Sequence, residues 1–580
     1  MLKTVWGKKL DPEQVLREYP RPQMVRDSYL NLNGYWDYSI TAGDSQPGEW
    51  LGSILVPFSP ESALSGVERT LQKDETLWYH RRVCLPDGFL PEGGRLLLHF
   101  GAVDQEAVIL LNGKEAGSHT GGYNAFTIDL TEGWQAGENE LIVKVKDETD
   151  AGSRSRGKQK TQRGGIWYTP QSGIWQTVWL EAVPALYIQG LQMLPHVDSG
   201  EIELTIEADA FSKAVCTVAI RGETHSVPVN TPTCIPVGDV PLWSPETPHL
   251  EPFAVELGGD RVESYFAMRS FGVGRDDDGV MRLLLNGKPY FHNGLLDQGY
   301  WPDGLYTAPS DEALIYDIQT MKDLGFNMLR KHIKVEPMRW YYHCDRIGML
   351  VWQDMPSGGS RYKVPIISAP LITGIHLKDS HYRWFAREDE VQRDAYYEEL
   401  EEMILQLRNV PSIALWVPFN EGWGQFDAEK ACALIQELDP TRPIDHASGW
   451  HDQGIGQLQS LHVYFRPYRF KPDRKGRAVV LSEFGGYNLR LDGHCFNQID
   501  FGYKKLKDQE ELWQAYEKLF REQILPAIPK GLAATVYTQV SDVEDELNGL
   551  FTYDRAIVKL PADRLRGLND EIAAFNGGRT

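Results

Sequence analysis

The chain has 580 residues, a formal net charge of −22, and 17 Trp, 26 Tyr and 21 Phe. Its length exceeds what a single hydrophobic core supports and predicts about three domains. The acidic balance excludes nucleic acid as a partner, because phosphate binding needs basic surface.

Residues 1–183 read as β. The runs "RLLLHFGAV", "EAVILLNGKEAGSHT" and "NELIVKVKD" are short, apolar or alternating, and separated by Asn-Gly and Gly-rich turns, which predicts a β-sandwich of jelly-roll type. Near its end a basic, glycine-punctuated loop (residues 152–165) leads into the Trp-rich "IWYTPQSGIWQTVWL". Such loops are commonly just solvated, yet one this long can also reach a neighbouring domain's active site. Residues 184–272 alternate with period two in "EIELTIEADAF" and "AVCTVAIRG", which predicts a smaller immunoglobulin-like β-sandwich.

From 273 to 580 the period changes. Helices are predicted over "DEALIYDIQTMKDLG", with Ser310 as N-cap, over "EPMRWYYHCDRIG", with Pro337 in its first turn, and over residues 390–409. Between and after them lie "YFHNGLL", "FNMLR", "MLVWQDM", "IALWVPF", "RPIDHAS", "QSLHVYF", "AVVLSEF" and "LAATVYTQV". Eight strands with interleaved helices predict a (β/α)8 TIM barrel in which "IALWVPF" is strand 4 and "AVVLSEF" strand 7.

Glu421 follows strand 4 in "FNEGWGQ", and Glu483 ends strand 7 in "LSEFGG". Barrel enzymes carry their chemistry at the C-terminal strand ends. Two carboxylates converging there meet the needs of glycoside cleavage: one proton donor for the leaving oxygen and one group for the developing oxocarbenium ion. Either glutamate alone reads equally well as a polar helix start; the matched pair is what favours chemistry.

"FNEGWGQ" and "LSEFGG", with "FNMLRKH" and "DRIGMLVWQD" upstream, resemble glycoside hydrolase family 2, the family of β-galactosidases, β-glucuronidases and β-mannosidases. The resemblance spans nearly the whole chain. It implies an exo-acting retaining β-glycosidase with Glu421 as acid/base, Glu483 as nucleophile and Asn420 on the sugar 2-OH. It also places Arg330 near the nucleophile and Tyr464 in hydrogen-bond contact with it; for Arg330 a purely structural ion pair competes. His462, two residues before Tyr464 on the same strand face, reads equally as a sugar contact or a core histidine. Trp301 and Trp423 are candidate stacking platforms, with plain packing an equal reading.

The sequence also departs from the family pattern. Strand 1 exits through "NGLLDQGYWPDG", offering Asp297, Gln298 and Trp301 in place of a His-rich segment, and Lys331, His332 and Lys334 follow Arg330. The strand 8 aromatic is Tyr537. No Asn-x-Lys follows Glu483, so the usual glucuronidase signature is missing. A β-galactoside is the default by family frequency. A uronide, held by the Lys331, His332 and Lys334 cluster, is the alternative, and a furanoside is another. A non-catalytic carbohydrate-binding protein is the rival class.

No His-x-His or HExxH occurs and the six cysteines lack ligand spacing, so no metal or other cofactor is expected and the thiols read as reduced. No run reaches membrane-spanning length, and the N-terminus lacks an apolar signal core. The expected partner is a glycoside or small oligosaccharide, with no membrane, a cytoplasmic location, and compatibility with a homo-oligomer.

Overall fold

The computed structural model describes residues 2–152, 154–209 and 211–576. In the N-terminal region a six-stranded antiparallel sheet, built from Gly34–Ala42, Gly52–Val56, Glu75–Val83, Glu106–Leu111, Lys114–Thr120 and Asn139–Lys146, faces a four-stranded one. Alternation directs Leu141, Val143 and Val145 inward from one sheet and Leu96, Leu98 and Phe100 from the other, filling the space between them. Two smaller antiparallel sheets follow, closing over Ile202, Leu204, Val218 and Val255. Arg26 ties the two sandwiches together: its buried guanidinium pairs with Glu181 on the first and Asp260 on the second, each at 2.9 Å.

The C-terminal region is built on parallel strands ordered 4-3-2-1-8-7-6. These are Ile413–Val417, Leu350–Asp354, Met328–Lys331, His292–Asp297, Leu532–Thr538, Ala478–Gly485 and Leu458–Val463. Their inward residues, among them Leu296, Met328, Trp352, Val417, Val480 and Val536, form one core, while the outward residues pack beneath the helices in another. A three-stranded hairpin sheet over residues 271–289 contributes Leu283 and Leu285 to the inner core.

The fifth strand departs from expectation. "RPIDHAS" makes only isolated parallel bridges, Trp416 with Ile444 and Asn420 with Ser448. Pro443 lacks an N–H and removes a ladder donor, so the segment runs along strand 4 without forming a regular ladder. The helices Asp311–Asp323 and Glu390–Leu407 lie where predicted, and the Ser310 hydroxyl caps the first by accepting from the Ala313 N–H. Pro337 sits at the N-cap of Met338–Ile347, just ahead of its expected place in the first turn. Residues 356–389, between strand 3 and its helix, form a long excursion carrying two short helices, Val364–Ile367 and Ala369–Thr373. No helix among the described residues is long and apolar enough to cross a membrane. All six cysteines are free thiols.

Candidate active site

Strand parity decides which side chains reach the barrel mouth. On strand 2, Met328 faces the interior core and Leu329 the helices, so Arg330 and then His332 continue the inward row. On strand 6 the inward row is Leu458, Ser460 and His462, and Tyr464 extends it beyond the strand end. Strand 7 breaks the alternation. Against both neighbours its register gains one residue between Leu481 and Phe484. Leu481 and Phe484 both pack outward, so this bulge turns Ser482 and Glu483 inward together. Without it Glu483 would face the helices.

Glu421 reaches the mouth by another route. Its φ of +52° turns the chain after strand 4, and its N–H donates to the Ser448 carbonyl at 2.8 Å. A left-handed backbone at a non-glycine residue is uncommon and is held here by its surroundings. Gly422 follows, also at positive φ, where a Cβ would lie 2.6 Å from the His451 ring.

The two carboxylates meet at His462. Its Nδ1–H donates to Glu421 Oε1 at 2.7 Å and lies 3.5 Å from Glu483 Oε2, while Nε2 lies 3.1 Å from the Ser448 hydroxyl. Tyr464 donates its hydroxyl to Glu483 Oε2 at 2.6 Å, and Trp423 donates its indole N–H to Glu421 Oε2 at 3.2 Å. Arg330, fully buried, spans the floor. Its guanidinium binds Asp354 through two bonds of 2.9 and 3.0 Å, Asn420 Oδ1 at 2.9 Å, and Glu483 at 3.4 Å.

Electrostatics follow from these contacts. Burial pushes the Glu421 carboxyl up, but the hydrogen bond and charge of His462, aided by Lys158 and Trp423, outweigh it and hold the group below its ordinary value. Burial and the adjacent Glu483 charge raise Tyr464 far above the normal phenol range, so it remains a donor. Burial drives His332 well below its usual value; its neutral ring lies 2.7 Å from Asp354 through Nδ1.

Of the residues singled out in the sequence, Asn420, Glu421, Trp423, His332, Tyr464 and Glu483 line one pocket, with Arg330 and His462 packed directly behind them. Five others lie elsewhere. Asp297 and Lys331 point outward by parity and pair with each other at 2.7 Å, Lys331 also holding Glu336 at 2.8 Å. Lys334 is likewise bound to Glu336, so the cationic cluster expected at the mouth is consumed inside the protein. Trp301 is buried beneath the Arg555 guanidinium, 4.2 Å from its ring centroid. Tyr537 packs outward against Phe484 and Tyr516, and its successor Thr538 faces the pocket, 2.8 Å from the Tyr464 hydroxyl.

Sequence reading missed several wall residues. Arg156, Gly157, Lys158 and Trp167 come from the basic loop of the N-terminal region and the turn that closes it, Ser357 and Tyr362 from the long excursion, Tyr503 from between strands 7 and 8, and Glu546 from beyond strand 8. Trp167, Tyr362 and Trp423 form an aromatic cluster with ring centroids 5.1–6.0 Å apart. The loop itself was visible as basic and long, whereas its seating on the barrel depends on tertiary contacts. A larger cavity of about 600 Å³ lies between the sandwiches and the barrel, but it lacks the paired carboxylates at strand ends.

Among the described residues two side-chain groups have metal-ligating geometry: Glu421, His462 and Glu483, and His196, Glu203 and Cys234. In the first, a dication would have to share the site with the Arg330 guanidinium, 3.4 Å from Glu483, which works against a resident ion.

A barrel of parallel strands behind two β-sandwiches, with a carboxylate pair in its mouth, has the architecture of a multidomain glycoside hydrolase. Residues 67–184 match the sugar binding domain of glycosyl hydrolases family 2, and residues 280–479 match that family's TIM barrel domain, together more than half of the chain. The chain belongs to glycoside hydrolase family 2. It is 25% identical over 388 residues to a beta-galactosidase of Thermoanaerobacter pseudethanolicus, covering 63% of this chain and 48% of that one. It spans about half or less of the length of the curated relatives it matches. Among solved structures, a Ruminococcus gnavus beta-glucuronidase superposes with a TM-score of 0.74 at 16% identity, covering 96% of this chain and 99% of that one. A beta-galacturonidase from Eisenbergiella tayi bound to galacturonate gives 0.70 at 18% identity, covering 96% and 99%.

Proposed function

We propose that the chain is an exo-acting retaining β-glycosidase that works by double displacement. The observation that carries this reading is the closeness of the pair: carboxylate oxygens of Glu421 and Glu483 and a nitrogen of His462 all lie within 4.8 Å of one another. Retaining pairs stand about 5–5.5 Å apart, whereas inverting pairs leave roughly 6.5–9.5 Å for a water. Glu483 is the nucleophile, oriented by Tyr464 and Arg330. Glu421 is held ionised by His462 in the free site and takes up a proton when a bound sugar buries it further. It gives that proton to the leaving oxygen and then takes one from the water that hydrolyses the glycosyl ester. Arg330 engages Asn420 Oδ1, which leaves the Asn420 amide N–H groups for the sugar 2-OH. The reading carries with it a division into a jelly-roll domain 1–183, an immunoglobulin-like domain 184–272 and a catalytic barrel 273–580, in a cytoplasmic protein.

A galactoside, the kind of substrate named for the Thermoanaerobacter relative, is the default by family frequency. A uronide, as named for the Ruminococcus and Eisenbergiella proteins, is favoured by one observation: Arg156 and Lys158 line the same pocket as the carboxylates. The test is turnover of aryl β-galactoside, β-glucuronide, β-galacturonide and β-furanosides, with proton NMR of the first product. The β anomer should form first. Formation of the α anomer, or inertness toward every sugar, overturns the reading.

His462 supplies a pH prediction. Because its hydrogen bond and charge oppose burial at Glu421, His462→Asn leaves burial less opposed, and the Glu421 carboxyl should titrate at higher pH than in the parent. The carbon-13 carboxyl shift of Glu421, assigned by difference against Glu421→Gln, reads this directly. An unchanged or lower titration point removes His462 from that role.

A further inference from the structure

We propose that Lys158, with Arg156 behind it, is the cationic subsite that recognises a carboxylate on the terminal sugar, so that the substrate is a glycoside of a hexuronic acid. This rests on the glycosidase reading above and adds the residue that selects the sugar.

The loop that carries these cations is seated on the barrel mouth. The Gly157 N–H donates to the Tyr123 hydroxyl at 2.8 Å, and the Lys158 carbonyl accepts from the Tyr168 N–H at 2.9 Å. A Cβ at Gly157 would lie 2.4 Å from the Tyr306 hydroxyl and 2.9 Å from the Ile333 carbonyl, so the approach to the barrel is as close as a glycine permits. The backbone of Lys158 is therefore fixed at the pocket wall, and only its side chain adjusts.

Lys158 holds no carboxylate: its ammonium lies 5.6 Å from the Tyr168 ring centroid. The three lysines with buried side chains, Lys331, Lys334 and Lys559, each hold a carboxylate at 2.6–2.8 Å. Lys158 has no ion-pair partner among the described residues, although it lines the same pocket as Glu421, Glu483 and Glu546. Each of those acids has a nearer partner: His462 and Trp423 for Glu421, Tyr464 and Arg330 for Glu483, and the Tyr168 hydroxyl for Glu546. Arg156 is only 5% exposed, its guanidinium lies 5.4 Å from the Tyr362 ring centroid, and its Nε has no hydrogen-bond partner among the described residues.

A neutral sugar that displaced water from this wall would leave a desolvated ammonium with the Tyr168 ring face but no hydrogen-bond acceptor, which is costly. A uronate carboxylate supplies the missing acceptor as a charge-assisted hydrogen bond. The alternative cations, Lys331 and Lys334, are already bound to Glu336 and cannot serve.

The test compares kcat/KM for 4-nitrophenyl β-glucuronide and β-galacturonide with the matching glucoside and galactoside, which lack the C6 carboxylate. Neutral glycosides bearing a carboxyphenyl aglycone place the anion on the other side of the scissile bond. The parent should prefer uronides by about 100-fold or more. Lys158→Ala should lower the uronide-to-neutral ratio by about 30-fold or more, chiefly through KM, with Lys158→Arg recovering most of it. A parent that prefers neutral sugars, a preference that follows the aglycone carboxylate, or a ratio that Lys158→Ala leaves unchanged each overturns the proposal. Calorimetric titration of Glu483→Gln with galacturonate and galactose reads the carboxylate preference without turnover. A protein inert on all sugars that still selects galacturonate defeats the glycosidase reading alone, while an active enzyme indifferent to the carboxylate defeats this inference alone.

Discussion

Glu483→Gln is expected to lower kcat by at least about 10⁴-fold on every substrate the parent accepts, with the fold retained. The amide keeps the shape of the carboxylate but cannot form a glycosyl ester as a charged nucleophile does. Stability should change little by comparison: Tyr464 holds Oε2 at 2.6 Å and Arg330 holds Oε1 at 3.4 Å, so the amide oxygen can keep one of them, while the other retains its further partners, Thr538 for Tyr464 or Asp354 and the Ser482 carbonyl for Arg330. The companion variant separates the two roles. Glu421→Ala removes proton donation and acceptance but leaves Glu483 able to form the ester when the aryl leaving group needs no acid. Azide, a small anion that needs no base, should then attack the ester, restore turnover and yield a β-glycosyl azide. Glu421 also lies against the Trp423 indole at 3.2 Å and the His462 ring at 2.7 Å, and truncation there opens the space azide needs. Full activity in Glu483→Gln, or a Glu421→Ala protein as active as the parent without azide, assigns the chemistry to other residues.

Much of this site is written locally. Arg330 and His332 share a strand face because side chains alternate, and the same rule puts Lys331 on the other face, a distinction that a list of nearby cations overlooks. The rule also places Thr538 inward and Tyr537 outward once the inward row Ala534, Val536 is known. It fails at Glu483, whose inward aim depends on a one-residue bulge that no periodicity in "AVVLSEFGG" reveals. The remaining walls are long-range. Lys158 and Glu421 are far apart in the chain and meet only because the N-terminal sandwich docks on the barrel, and Tyr362 arrives on an excursion without a strong pattern of its own. "RPIDHAS" has strand composition, but Pro443 costs it a ladder donor, so composition and hydrogen bonding disagree and hydrogen bonding decides.

Arg330→Met should destabilise the barrel by about 3–5 kcal/mol, the range for leaving one member of a buried ion pair alone. Asp354 is fully buried and receives two guanidinium bonds; with Arg330 gone, the His332 ring at 2.7 Å is its remaining side-chain partner. The loss is a large fraction of the roughly 5–15 kcal/mol that holds an ordinary domain together. Arg330→Lys keeps the charge, but one ammonium cannot span Asp354, Asn420, the Ser482 carbonyl and Glu483, so partial recovery of stability with poor activity is expected. The pH dependence gives the sharper test. Burial raises the Asp354 carboxyl above its ordinary 3.8 and Arg330 opposes that rise, so removing Arg330 lifts it further. A folded state that keeps a proton its unfolded chain has released loses stability as pH climbs from about 4 toward the folded value. The gap in Tm between Arg330→Met and the parent should therefore be smaller at pH 5 than at pH 8. A gap that is constant or widest at pH 5 means that Asp354 is not the group left uncompensated, and the cost then lies in the lost contacts to Ser482, Glu483 and Asn420.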